Sequence, residues 1–343
     1  MEIDYNKAII NLFVTKLEKD FGNKGIERAL FLAPKIKSVY EVIDVRKFKN
    51  IKIVTSLEKH VKINDKLVGN IKELNSSLEL VTDSSSTSIF LEFTESGKIF
   101  FSEDAIDTSS IKNIAIIYEK IDEFEYFHNK TDKDLLEPLD GIDSYFAPNT
   151  FKSLDESLEY YKTNVAKNTS CKILQGIWCD DYKIKIAKGA TEGIMRDSLC
   201  QFLRFRLRGL KEVMPEQNVN EKNPVDIKVF WNYTKHIAFI EIKWLGKSIS
   251  DTNYSQSRAL DGAKQLADYL DEYAQQNPNS VSYGYLVVFD ARRRKVDRPI
   301  EELTFDDVNF YKDKNIKYNP KYDEQRNDYA KPQRFFLNAN LSN

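Results

Sequence analysis

The run HIAFIEIKWL, residues 236–245, has apolar side chains on both faces if it is extended. Side chains alternate across a strand, so Ala238, Ile240, Ile242 and Trp244 share one face and Ile237 and Phe239 the other. A strand of this kind belongs in the middle of a sheet that is covered on each side. Glu241 and Lys243 interrupt the pattern, and both point to the Ile237/Phe239 face. Burying a charge is costly unless it is paired or bound. The strand therefore needs a compensating partner near its end.

The surrounding segments follow a regular order. TEGIMRDSLCQFLRFRL reads as a helix with Glu192, Met195, Leu199 and Leu203 on one face, ended by Gly209. LKEVMPEQNV, PVDIKVFW and HIAFIEIKWL are three successive strands. QSRALDGAKQLADYLDEYAQQ is a second helix, expected to pack through Leu260, Ala263, Leu266, Ala267 and Leu270, and VSYGYLVVF is a buried strand after it. A helical crossover between the third and fourth strands predicts a parallel pair inside a mixed sheet.

Upstream, YNKAIINLFVTKLEKDFG carries a helical stripe of Ile9, Leu12, Phe13, Leu17 and Phe21, with Gly22 as its expected end. Short apolar runs follow: ALFLA, VYEVIDV, IKIVTS, LELVTD and IAIIYEKI read as strands, and SIFLEFTESGKIFF as a hairpin about Ser-Gly. LLEPLDGIDSYFAPNT marks a boundary. Beyond it come a short helix, LDESLEYYKTNVAKN, a solvated turn at WCDDY holding Asp180 and Asp181, and a strand at YKIKIA. The expected class is α/β, α+β overall. Residues 1–150 would form a β-rich α+β domain carrying no chemical motif, and 151–343 a mixed sheet flanked by helices.

Composition narrows the function. With 41% hydrophobic and 30% charged residues the chain is globular, and 343 residues suffice for two domains. A net charge of −2 excludes a uniformly basic coat for nucleic acid but leaves room for a basic cleft. MEIDYNKAII lacks a basic segment followed by an apolar core, and no apolar run spans a bilayer, so a cytoplasmic location without membrane contact is expected. Cys171, Cys179 and Cys200 have no metal-ligand spacing and suit reduced thiols. His60, His128 and His236 are too scattered for a zinc site, and His236 reads as a turn-edge residue.

Asp226 heads PVDIKVFW, and fourteen residues separate it from Glu241. Adjacent antiparallel strands bring the two carboxylates to one edge of the sheet, where they repel unless a cation lies between them. Magnesium suits such oxygen donors, manganese can substitute, and the Ile242 carbonyl offers a further ligand. Lys243 would supply a compact charge to orient water or hold a phosphate. These parts suit phosphodiester hydrolysis. The alternative is a buried Glu241–Lys243 ion pair with Asp226 in a turn, which would add little net stability.

PVD, fourteen residues and EIK, in a helix–three strands–helix–strand frame, resemble the PD-(D/E)xK nuclease superfamily over roughly residues 190–290. Val225, inserted between Pro224 and Asp226, departs from the pattern at its least chemical position. The resemblance implies a restriction-endonuclease-like fold and catalysis by Asp226, Glu241 and Lys243. Glu192 occupies the place of the acid on the preceding helix, with an acid favoured by the helix dipole as its plainer reading. QLADY is similar to the Gln-x-x-x-Tyr motif of RecB-like members and implies a catalytic-site role for Gln265 and a substrate contact for Tyr269. Arg258 shares their helix face, which would border a substrate cleft, with Arg258 and Tyr269 touching nucleic acid, or would merely be solvated.

Arg292, Arg293, Arg294 and Lys295 follow the last strand and would contact phosphate, although such runs are also commonly solvated. RFRLRGLK and the aromatic–basic stretch YKDKNIKYNPKYDEQRNDYAKPQRFF have the same two readings. The expected function is a magnesium-dependent nuclease, DNA favoured over RNA and an endonuclease over an exonuclease, of the kind found among restriction, repair and antiphage-defence effectors. The other readings are a catalytically inactive nucleic-acid- or protein-binding module and a scaffold. Cutting both strands of a duplex would need a homo-oligomer, and residues 1–150 would supply that interface or bind a partner protein.

Overall fold

Leu32, Ile36, Val39 and Tyr40 recur at helical spacing and are buried. They lie in the second half of one long helix, α1 (Tyr5–Tyr40). ALFLA is therefore helical rather than a strand, and VYEVIDV leaves the helix at Tyr40 and turns instead of extending. The expected stop at Gly22 is a kink, because glycine alone accepts its φ of +62° without strain and the helix resumes beyond it.

The computed structural model describes residues 5–75, 86–136, 144–167, 171–177, 185–186, 191–218, 224–232, 234–250, 252–278, 280–292 and 315–337. The chain divides into two units, Met1–Asn149 and Thr150–Asn343. The fold is mixed α+β, with two mixed sheets and six α-helices among the described residues.

The first unit adds β1 (Asn50–Ser56), β2 (Lys72–Leu74), β3 (Ser88–Phe93), β4 (Ile99–Ser102), β5 (Ala115–Ile121), β6 (Phe124–His128) and β7 (Lys133–Leu135). Their order across the sheet is β2-β4-β3-β1-β5-β6-β7, with β1 parallel to β3 and antiparallel to β5. The expected hairpin is the antiparallel pair β3–β4. Ile51, Ile53, Leu91 and Tyr118 pack with Leu32 and Ile36 of α1, and Val54, Phe90 and Ile117 form a smaller cluster. LELVTD lies outside the described residues.

The second unit begins with α2 (Phe151–Tyr160), which runs into a π-helical turn at Tyr161–Ala166, then α3 (Lys172–Gln175) and β8 (Lys185–Ile186). Next come α4 (Thr191–Arg206), β9 (Leu210–Asn218), β10 (Pro224–Trp231), β11 (His236–Ser248), β12 (Asn253–Tyr254), α5 (Ser257–Gln276) and β13 (Val281–Asp290). The last elements are α6 (Tyr322–Gln325) and β14 (Gln333–Phe336). The sheet runs β14-β13-β11-β10-β9, and β8 and β12 pair with β11. β11 is antiparallel to β10 and parallel to β13, as the helical crossover predicts.

Alternation along β11 sorts the two cores. Ala238, Ile240, Ile242 and Trp244 pack with Met195, Leu199 and Leu203 of α4. Ile237 and Phe239 pack with Ala263, Leu266 and Leu270 of α5. His236 is no open turn residue: it is buried, stacks on Phe151 and meets Thr150 Oγ1 at 2.7 Å through Nδ1. Cys171 and Cys200 are free thiols, while Cys179, Asp180 and Asp181 lie outside the described residues. Among the described residues, no helix is long and apolar enough to cross a membrane.

Candidate active site

Asp226 and Glu241 meet because β10 and β11 are antiparallel neighbours. Their register runs from Phe230↔Ile237 to Ile227↔Ile240, one step short of Asp226 opposite Glu241. At that step the ladder changes partner, and the Ile242 amide donates to Asp226 Oδ2 at 2.8 Å. Asp226 thus hooks the main chain of β11 between Glu241 and Lys243. Strand parity puts Glu241 and Lys243 on the α5 side of the sheet, and Asp226 reaches β11 beside them through this hook.

Glu241 is 1% exposed. Lys243 Nζ donates to its Oε1 at 2.5 Å, while Oε2 is buried with no hydrogen-bond partner. Burial, then the charge of Asp226, pushes the Glu241 carboxyl up to about 8. Burial lifts Asp226 to about 6, against the Ile242 amide and Lys243, which pull it down. Burial draws the Lys243 ammonium down, but the charge and hydrogen bond of Glu241 outweigh it and hold the group above its ordinary value. One ammonium therefore offsets two crowded carboxylates.

Glu192, in the first turn of α4, acts on the same groups, and its charge raises Asp226, Glu241 and Lys243 alike. It is ion-paired with Arg258 at the head of α5. Because α4 and α5 cover opposite faces, this pair ties their N-terminal ends together across the end of the sheet. Arg258 also lies 4.9 Å from the Tyr254 ring, so its guanidinium is engaged within the fold instead of standing open to nucleic acid.

Tyr269 overturns its expected role as a nucleic-acid contact. It is 2% exposed and packs among Leu266 and Leu270, and burial lifts its hydroxyl to about 12. That hydroxyl accepts from Gln265 Nε2 and donates to the Pro224 carbonyl at 3.0 Å. The two residues brace the start of β10, just before Asp226. The buried face of α5 is wider than its leucine stripe, taking in Gly262 and Tyr269 and leaving Leu260 half-buried.

Arg292 is likewise turned inward. It grips the fully buried Asp290 at 2.9 and 2.7 Å, and Arg334 holds the same carboxylate at 2.7 Å. Arg293, Arg294 and Lys295 lie outside the described residues. The sequence patterns also overlooked Arg196, whose charge reaches Asp226 and which pairs with Glu216. Its place one turn after Glu192 was a usable signal. Arg334 carried none.

The oxygens of Asp226, Glu241 and the Ile242 carbonyl fit a hard divalent cation, magnesium or manganese. The unpartnered Glu241 Oε2 is the atom such an ion would satisfy. Among the described residues, no three His, Cys, Asp or Glu side chains gather as a metal cage, so main-chain and water oxygens would complete the ligand set. Comparison of the chain with protein-family models, curated proteins and solved structures finds no match.

Proposed function

We propose that the chain is a metal-dependent nuclease of the PD-(D/E)xK type, with Thr150–Asn343 as a restriction-endonuclease-like domain. It would hydrolyse phosphodiester bonds, DNA ahead of RNA, as a restriction or antiphage-defence effector in a bacterial cytoplasm. The observation that carries this reading is the Asp226–Glu241 pair, a half-buried and a buried carboxylate on adjacent strands, the buried one with an unpartnered oxygen.

Asp226, Glu241 and the Ile242 carbonyl would hold the cation. A divalent ion there supplies charge neutralisation at the scissile phosphate and a lowered pKa for water. Lys243, steered by Glu241, directs its ammonium at the non-bridging oxygens or the attacking water, where a fixed charge lowers the barrier. Gln265 and Tyr269 act as positioning residues through the Pro224 carbonyl, and Glu192 with Arg258 holds the two helix heads at the same end. The first unit would recognise substrate, a trigger, a partner protein or a second copy.

The Lys243–Glu241 ion pair on its own also suits a non-catalytic module of the same fold. That reading leaves the lone Glu241 oxygen and the lifted Asp226 without a purpose. Incubation with single- and double-stranded DNA and RNA, with magnesium and with a chelator, tests the proposal. Magnesium-dependent cleavage that Glu241→Gln abolishes is expected. No cleavage of any of the four substrates would remove it.

A further inference from the structure

Along β10 the odd residues Val225, Ile227, Val229 and Trp231 are buried, but Asp226, Lys228 and Phe230 are half-exposed. Lys228 and Phe230 stand on the α5 side, where Lys228 faces Phe239 and Phe230 faces Ile237. The helix is seated over β11 and β13, to one side of β10. Its Leu266 and Leu270 close on Gly284 of β13, and Gly262 closes on Lys243 of β11. A strip of sheet floor beside α5 is left partly open, with Asp226 at one end.

Lys228 in this strip has an unusual setting. Its Nζ lies 4.7 Å from the Phe230 ring centroid, 4.8 Å from Tyr273 and 5.3 Å from Phe239. Among the described residues no carboxylate and no hydrogen-bond acceptor meets it, and Met214 stands opposite on β9. Ring faces attract a cation but replace only part of its lost hydration. A ligand oxygen of negative charge would complete the shell.

We propose that Lys228 and Phe230 floor a track that receives the substrate as a single, unpaired nucleic-acid strand leading to Asp226 and Glu241. Resting on the nuclease reading, the inference names its substrate class. Residues two apart on a strand are separated by roughly 6.5–7 Å, so Lys228 meets a phosphate close to the scissile one. Phe230 offers its half-open ring to a base. Stacking on a side chain needs a base that has left its duplex, and a cation alternating with rings is the pattern that tracks single strands. A site fed by one strand needs no second copy of the chain.

Fluorescence anisotropy of a labelled oligothymidylate, and of a duplex of equal length, tests the track with the full chain in chelator over a range of salt. The single strand should bind more tightly than the duplex. Lys228→Gln should weaken single-strand binding about tenfold and lower the salt slope by about one, while Lys228→Arg keeps the slope. Phe230→Ala should weaken the single strand and spare the duplex. Wild-type affinity in a folded Lys228→Gln variant, or tighter duplex binding by the wild type, overturns the track. Cleavage is read separately. If magnesium-dependent cleavage persists while the track fails, the nuclease reading stands. A Lys228-dependent single-strand binder that never cleaves keeps the track and removes the nuclease.

Discussion

Gly262 lies against the aliphatic stem of Lys243: a Cβ there would stand 2.6 Å from Lys243 Cγ and 3.0 Å from Cε. α5 can approach β11 this closely because residue 262 has no side chain. The stem is covered by the helix at Gly262, and the ammonium is held by Glu241.

Gly262→Ala should therefore displace Lys243 without touching any acid. Leu286 Cδ1, at 3.2 Å from the same position, leaves little room for relief. Turnover is expected to fall about a hundredfold, the scale of a misplacement near 1 Å, with a much smaller change in KM. Steady-state kinetics beside a melting curve check this. Undiminished turnover would mean that the lysine's placement is immaterial.

Substitutions at the acids should separate chemistry from binding. Glu241→Gln and Asp226→Asn are expected to abolish cleavage while nucleic-acid affinity stays within about threefold, because such groups act mainly in the transition state. Lys243→Ala should slow turnover and alter affinity less. Single-turnover rates and anisotropy on the same preparations provide both readings.

Asp226 should lower the stability of the metal-free protein at neutral pH. Its folded pKa of about 6 lies above the ordinary 3.8, so the folded state holds the proton more tightly. Its contribution is most favourable below about pH 4 and is lost as pH rises to about 6. Asp226→Asn can keep an acceptor for the Ile242 amide and carries no charge. The variant should exceed wild type by about 3 kcal/mol above pH 6, with the gap closing toward pH 4. Urea melts in chelator across that range decide it.

Cation binding should release protons. Glu241 at about 8 and Asp226 at about 6 are partly or fully protonated at neutral pH without a metal. A cation requires them ionised, so its affinity should climb as pH rises from about 6 to about 8. Calorimetry in buffers of different ionisation enthalpy counts the protons. A pH-independent affinity would move the metal site elsewhere.

Asp226, Glu241 and Lys243 were legible because strand alternation and a short antiparallel connection suffice to bring them together. The two cores against α4 and α5 follow from the same alternation in HIAFIEIKWL. ALFLA failed because five apolar residues in a row suit a strand or a buried helix equally well. The deciding signal was spacing over a longer window, from Leu32 through Ile36 to Val39 and Tyr40. Tyr269 failed for a different reason: α5 buries more than one stripe where it packs on β11 and β13, and the orientation of a helix on a sheet is not written in its period. Lys228 could not be singled out in advance, since its three rings come from β10, β11 and α5.

Among the described residues, β14 is the outermost strand beside β13 and the last of its sheet in chain order, and it carries Arg334, one of two guanidiniums on the fully buried Asp290. A ribosome adds roughly 5 to 20 residues each second. For a few seconds β13 is already made while its neighbour is still being translated. In that interval the outer rim of β13 presents bare amide and carbonyl groups to any passing extended chain, and Asp290 lacks part of its counter-charge. The nascent molecule is then open to pairing with strangers, and slowing translation after β13 would lengthen that exposure.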